Sequence, residues 1–543
     1  KEALEIFKEL VKYQKPADEL FFNIANTYSE NQNYEQALDY LRRIQNLGLE
    51  KFISLTKLFI NIKRYDSAEF YLEKARSLYS EKKNSIPVLI WGIILKYSGD
   101  LRSEAGKYME ALADYQSAIV SLDGSFTDTA VSANPESFSG LQNFSFLFET
   151  LIAKASLLAS IKDPKEEKRN LALSIQSYRS ALQLARHIEK TYFSDDARLF
   201  LKTKVNPATR DAVNIAIRLY DISKDPKYIN TAFGFVENNK ATVLQTGLKN
   251  LELSALPGLP LNLVSDEKRY KSILARLTIQ STLLKDSLSQ IALQSEIHNT
   301  EIKLSAVQDK LDEYPLYHNL KYYNTAIDLD KLKIETGKDE AILSYYYTRT
   351  SLICFYITKE AAGFSSIPLD SSLFSTIYSL RKELQYPQAS GRRSLMIAGS
   401  SLFKQLIAPV FGKIKDKRRL EIIPFNEISF VPFEMLVDSE NSLMVRNFAI
   451  SYNYSAGFLT DKNAGGFTNY KVLAMAPFSG DQNANLILPS LPLSVEEISG
   501  LPGKKLSGAE AVKNEFISLS DKYPVIHLAT HAIANDSNVL GSY

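Results

Sequence analysis

The sequence predicts an α + α/β protein, with a helical repeat array through its first half and an α/β domain on a mainly parallel sheet after it. Three observations carry this. A Tyr-x-x-Ala pair recurs along the N-terminal half. Apolar stripes of helical period continue from there to about residue 335. Beyond about residue 340, short apolar runs alternate with helical segments.

The repeats come first in the chain. "NYEQALDYL" sets Tyr34 three residues before Ala37, and Tyr65/Ala68, Tyr108/Ala111 and Tyr178/Ala181 repeat that offset. In the first unit Leu20, Ile24 and Tyr28 form an i, i+4, i+8 stripe, opposed by Ala37, Leu41 and Ile44 on the next helix. A small Ala at each crossing lets paired helices approach, and the Tyr is expected to wedge against the following pair. Gly99 and Gly106 punctuate the third unit. The pattern resembles tetratricopeptide repeats, whose period is ~34 residues, with irregular spacing and without their Trp-Leu-Gly signature. A plain helical bundle would show the same stripes. Residues 1–250 are therefore read as an α-solenoid whose concave face binds peptides or partner proteins. "SLDGSFTDTAVSANPESFSG" (121–140), rich in Gly, Ser and Pro, is read as an exposed loop within it.

Residues 251–335 read as a helical linker, broken where Pro257 and Pro260 cannot sit inside a helix. His187 and His298 lie in helical segments without a second metal ligand nearby and read as packing or surface histidines. Residues 336–543 read as the α/β domain. "AILSYYYTRTSLICFYIT" is two strands joined at Thr348–Thr350. "SSLFSTIYSLRKELQ" is helical, "RLEIIPF", "FAISYNYSA" and "KVLAMAPF" are strands, "SVEEISGL" is helical and "YPVIHLAT" is a strand. Functional residues in such sheets gather beyond the carboxyl ends of the strands, and His531 lies just past the last one.

Composition narrows the function classes. At 61.1 kDa the chain holds more than one domain, and its formal charge of +2 carries no nucleic-acid or membrane signal. No apolar run approaches the ~18 residues of a membrane span, and no signal peptide opens the chain. The single cysteine, Cys354, excludes an intrachain disulfide framework and fits a reducing cytosol. It sits in an apolar run without a Gly-rich elbow or helix N-terminus, so it reads as packing rather than as a nucleophile. GxSxG, HExxH, GxxxxGKS and CxxC are all absent, which removes the serine-hydrolase, zincin, P-loop and zinc-ribbon readings.

Six stretches then align in order with one family: "FGFVENNKATVL" (233–244), "LEIIPFNEISFVPFEMLVD" (420–438), "ISYNYSAGFL" (450–459), "LPLSVEEISGL" (491–501), "LSGAEAVKNEF" (506–516) and "VIHLATHAIANDS" (525–537). The last, a strand ending in His-x-x-x-His, is the most specific. With the repeats, the chain resembles the CHAT-domain proteins that carry tetratricopeptide repeats. That resemblance implies a caspase–hemoglobinase sandwich and a cysteine endopeptidase acting through a His–Cys dyad, with no metal or organic cofactor. The matching base is His531, which would keep a nearby thiol reactive. The backbone N–H of Ala532, where many members have Gly, would hold the oxyanion. His527 reads as a packed, hydrogen-bonded core residue, with a supporting or substrate-binding role as the alternative. Asp536 could contact a basic substrate side chain or support His531, against a plain solvated or capping role. Glu434 and Glu497 read as structural. The family's cysteine follows the next strand, which lies beyond Tyr543, so this chain alone is expected to lack the nucleophile. The expected function is a regulated bacterial cytoplasmic protease. Its solenoid would sense an activating protein, and its substrate would be a specific protein, as in bacterial defence. The alternative is a non-catalytic scaffold that binds partner proteins through the solenoid.

Overall fold

The structure is a computed structural model that describes residues 18–459 and 471–531, apart from 46–47, 139–143, 192–194, 255, 257, 284–286, 323–326, 386–390, 481–487 and 489. It divides into two compact units, Lys1–Thr460 and Asp461–Tyr543.

The larger unit opens with antiparallel helix pairs: α1 (Asp18–Glu30) on α2 (Tyr34–Arg43), α3 (Leu49–Asn61) on α4 (Tyr65–Glu81), and α5 (Val88–Glu104) on α6 (Tyr108–Leu122). Then come α7 (Phe144–Ser160) on α8 (Glu167–Thr191), and α9 (Asp195–Ser223) on α10 (Lys227–Glu237). Each repeat alanine sits at a crossing with no exposed surface: Ala37, Ala68, Ala111 and Ala181 are all 0% accessible. Close approach is tightest in the third pair, where a Cβ on Gly99 would lie 2.6 Å from the Tyr115 ring. The stripe residues Ile24, Tyr28, Leu41 and Ile44 are buried as the periodicity requires. The repeat tyrosines are less uniform than expected. Tyr65 does reach the next pair, donating its hydroxyl to Glu104 Oε2 at 2.7 Å, and Tyr178 is buried. Tyr108 is more exposed, at 43%.

The segment after α6 is a loop, as expected, and largely exposed, but it is anchored to the helices at a few buried points. Lys154 of α7 is fully buried and donates to Gln116 Oε1 (2.7 Å), Ala133 O (2.9 Å) and Asn134 Oδ1 (3.0 Å). Ser180 Oγ donates to Pro135 O, and Gln116 Nε2 to Asp128 O. A polar, Gly- and Pro-rich segment lies against the helices here because buried polar side chains accept and donate to its backbone. Burial pulls the Lys154 ammonium down to about 7, with Asp128 opposing the shift.

Helices α11 (Thr242–Ser254), α12 (Leu261–Leu283), α13 (Ser287–Asp312), α14 (Pro315–Tyr322) and α15 (Leu329–Glu335) lead to a five-stranded sheet of order β3-β2-β1-β4-β5. Strands β1 (Glu340–Tyr347), β2 (Ser351–Thr358) and β3 (Ala362–Pro368) form an antiparallel meander, and β4 (Arg419–Ile423) and β5 (Ala449–Tyr452) extend it in parallel. The sheet is thus mixed, where a mainly parallel one was expected. Its central strand, EAILSYYY, is buried on both faces, which explains its near-continuous apolar run. Ile342 and Tyr346 face the helical array, with Phe233 of α10 edge-on to Phe355 at 5.5 Å. Leu343, Tyr345 and Cys354 face α16 (Ser371–Gln385), α17 (Gly391–Leu406) and α18 (Ala408–Ile414). Helices therefore cover both faces of the sheet.

Among the described residues no single helix is long and apolar enough to cross a membrane. The α17–α18 pair passes only jointly, bent by 72°. Its residues Leu402, Leu406, Val410 and Ile414 are buried under the sheet, which accounts for its apolar character.

The smaller unit is a three-stranded parallel sheet of order β7-β6-β8: β6 (Val472–Ala476), β7 (Gly503–Ser507) and β8 (Val525–Leu528). Val472, Ala474 and Ala476 pack with Ile498 of α19 (Ser494–Ser499). The alternate residues Leu473 and Met475 pack with Leu506, Ala511 and Phe516, the last on α20 (Lys513–Leu519). The β6→β7 crossover runs one way across the sheet and the β7→β8 crossover runs back past β6 the other way, which places these two helices on opposite faces.

Candidate functional site

The six family-like stretches fall into two sets of three, and each set converges within its own unit. In the smaller unit they build the carboxyl end of the parallel sheet. His531 follows β8, Phe478 and Ser479 follow β6, and Gly508 follows β7. The His531 ring stands edge-on to the Phe478 ring, with centroids 5.0 Å apart and planes at 77°. The backbone beneath is held by Ala529 N–H donating to Met475 O at 2.9 Å, which continues the β6–β8 ladder toward the histidine. Gly508, with φ +50°, turns the chain out of β7, and its N–H donates to Ser479 Oγ at 3.0 Å. Leu491 N–H caps Phe478 O at 2.7 Å, which fixes the loop that carries the aromatic ring. The imidazole is thus partly exposed, oriented by an aromatic edge contact, and placed where open α/β sheets present functional groups.

His527 pairs with Ala474 in the β6–β8 register and points to the α19 face, where its Nε2 lies 2.8 Å from Glu497 Oε1. It is hydrogen-bonded, as expected, but it is not a core residue: its side chain is 37% exposed. The reason is position, since among the described residues β8 is an edge strand and α19 covers its face incompletely. Glu497 thereby has a definite role, as the partner of His527. Glu434 accepts from the Tyr452 hydroxyl at 2.6 Å, while that same oxygen accepts from Phe433 N–H, which is a structural arrangement. Ala532 and Asp536 lie outside the described residues. So does the side chain of His298, while His187 lies near the Phe138 ring. No group of His, Cys, Asp and Glu able to hold a metal ion occurs among the described residues.

Cys354 is a packing residue. It is 0% exposed in the sheet core, and burial pushes its thiol up to about 12. A thiol so placed is neither ionised nor reachable.

In the larger unit the other three stretches meet at a buried charged node that sequence reasoning missed. Glu237, the last residue of α10, and Lys240 pair at 2.9 Å with essentially no exposure. Ser344 Oγ of β1 donates to Glu237 Oε1 (2.5 Å) and accepts from Lys240 Nζ (2.6 Å). Lys240 also donates to Ile423 O at the end of β4 (3.3 Å). Beyond β5, Ser455 Oγ and the Ala456 N–H donate to Glu237 Oε2 at 3.1 and 2.7 Å. Burial lowers the Lys240 pKa, and the Glu237 carboxylate opposes that shift. The available signal was Ser344, a polar residue inside an apolar strand, read together with two charges in an otherwise apolar "FGFVENNKATVL". Charges in helical segments ordinarily read as solvated.

Helices on both faces of a sheet, with a histidine at the carboxyl end of a parallel strand, define an α/β/α-type arrangement. Residues 397–543, beginning within α17, match the family model of the CHAT domain. CHAT domains are a caspase-like, protease-type family, and here one follows a helical region in keeping with tetratricopeptide-like repeats. No curated protein matched the chain.

Proposed function

We propose that this chain carries the sensor and the catalytic base of a regulated, caspase-like cysteine endopeptidase. The observation that carries the reading is the placement of His531 past β8, edge-on to Phe478, in a segment matching the CHAT family. The nucleophile is a cysteine outside these 543 residues, because the sole thiol within them is buried and held protonated. In the reaction, His531 takes the proton of that thiol, and the thiolate adds to the scissile carbonyl carbon. The oxyanion is held by backbone N–H groups, that of Ala532 among them. His531 then protonates the departing amine, and water hydrolyses the thioester. His527 and Asp536 support His531 or the substrate, and neither a metal nor a cofactor is required. The helical array binds an activating protein, and the substrate is a specific cytoplasmic protein in a bacterial defence response.

The buried state of Cys354 also favours a second reading, a partner-binding scaffold with a degenerate peptidase domain. One experiment separates the two. The complete protein, supplied with its activating partner, is treated with a peptidyl alkylating probe and mapped by mass spectrometry. Protease function gives label on a cysteine other than Cys354, lost in His531→Ala. No label, or equal label in the variant, leaves the scaffold.

A further inference from the structure

The larger unit contains a cavity of about 370 Å³ among α8, α9, α10 and residues 327–328, independent of the histidine site. Its walls carry Leu182, Val205, Phe235 and Ile327, so an apolar body can be covered. Its charged groups are unequal in their commitments. Glu189 is paired with Lys202 at 3.6 Å and also accepts from the Thr242 hydroxyl. Asp328 caps α15, accepting from Asp330 N–H at 2.8 Å and from Asn230 Nδ2 at 3.3 Å. Lys202 is further held by Asn239 Oδ1 at 3.1 Å. Arg186, in the wall, makes no hydrogen bond or close ion pair with any described residue; burial lowers its pKa, and the Glu189 carboxylate nearby opposes that shift. Arg179 at the exposed rim is equally uncommitted. A partly buried guanidinium that feels a nearby carboxylate but makes no hydrogen bond to it keeps its donor fork open to the cavity, suited to two-pronged contact with an oxyanion.

We propose that this cavity binds a small organic anion, one phosphate or carboxylate group on an apolar body, with Arg186 as the principal anchor and Arg179 at the mouth. Occupancy has a route to the sheet. Asn238 and Asn239 line the cavity, while their neighbours Glu237 and Lys240 hold β1, β4 and the segment after β5. Asn239 Nδ2 also donates to the Tyr346 hydroxyl of β1 at 3.2 Å. One short turn therefore has the cavity on one side and the charged node on the other. It is a stiff turn, with Ala241 in the left-handed region at φ +49°.

The test titrates the 543-residue chain by calorimetry with phenyl phosphate, benzoate and the neutral benzyl alcohol. At least one of the anions should bind at one site per chain and raise the melting temperature, while benzyl alcohol does neither. Whichever anion binds more tightly identifies the headgroup. Arg186→Gln should weaken binding about ten-fold, as expected for loss of a charge-assisted contact. Arg179→Gln, exposed and safe for folding, should weaken it about two- to three-fold, as for a solvated charge. The proposal is overturned if neither anion binds, if benzyl alcohol binds as tightly, or if folded Arg186→Gln binds unchanged. Should Arg186→Gln fail to fold, an unchanged affinity in Arg179→Gln overturns it instead.

Discussion

Two parallel strand ends in this molecule are put to opposite uses. In the larger unit Glu237 and Lys240, themselves buried, bind backbone and side-chain groups at the carboxyl end of β4 and just beyond β5. In the smaller unit the corresponding ends of β6, β7 and β8 carry Phe478, Ser479, Gly508 and a partly exposed His531. Parallel sheets direct their strand ends toward one side whatever occupies it. What differs is burial: the charged pair at one end is enclosed, and the imidazole at the other is partly exposed. On the proposed reading the closed end serves stability and the open one chemistry.

Mutations can sharpen or break that contrast. The largest effect belongs to the open end. His531→Ala should lower cleavage by the complete, activated protein by about 10⁴-fold or more, equivalent to about 5.5 kcal/mol in the barrier. The same change should move stability by less than about 0.5 kcal/mol, as for a site outside the core. A comparable loss of stability would mean the histidine is a packing residue after all. At the closed end Lys240→Ala leaves Glu237 buried and unpaired, and should cost about 3–5 kcal/mol in chemical denaturation. Lys240→Met combined with Glu237→Gln should cost less than Lys240→Ala alone. Equal or greater loss in the double variant would refute a charge-pairing role.

The closed end was the harder of the two to read from sequence, and the reason is physical. Both its charges lie near helix ends, where Lys and Glu are ordinarily solvated, and their partner Ser344 is some hundred residues away in the chain. By contrast His531 announced itself, because it directly follows an apolar strand. The repeat alanines and strands β1, β2, β4 and β6 were legible because burial imposes a local pattern, while β5 and β8, though largely exposed here, were legible from their apolar and aromatic residues. Strands β3 and β7 were not. Their sequences, AGFSSIP and GKKLS, are polar because both strands are sheet edges, where lysines and prolines discourage pairing with other chains. His527 misled in the opposite direction, since a histidine inside an apolar strand looks interior, whereas among the described residues this strand is an edge.

Smaller effects refine the picture. The Lys154 ammonium is held at about 7 when folded against an ordinary value of 10.5, so the unfolded chain binds the extra proton between those limits. Stability should therefore rise with pH across that window, by up to about 1.4 kcal/mol per unit from this group. Lys154→Met should remove that component of the slope, as read from denaturation curves between pH 7 and 10. If the two slopes coincide, the ammonium is better solvated than its burial implies. Smallest is Glu497→Gln, which replaces the partly exposed partner of His527 and should cost at most about 1 kcal/mol. A loss of cleavage in that variant without a loss of stability would move His527 from the scaffold to the reaction.

The turn from Glu237 to Thr242 also bears on how this protein can be taken apart. A cut between the helices and the strands, near residue 336, would look harmless from sequence. It would strand a carboxylate and an ammonium on one piece, with the hydroxyl and carbonyl that receive them on the other. The helical array is therefore not a detachable accessory. Swapping it for another repeat array would require the recipient to bring its own acid and base to the same strand ends.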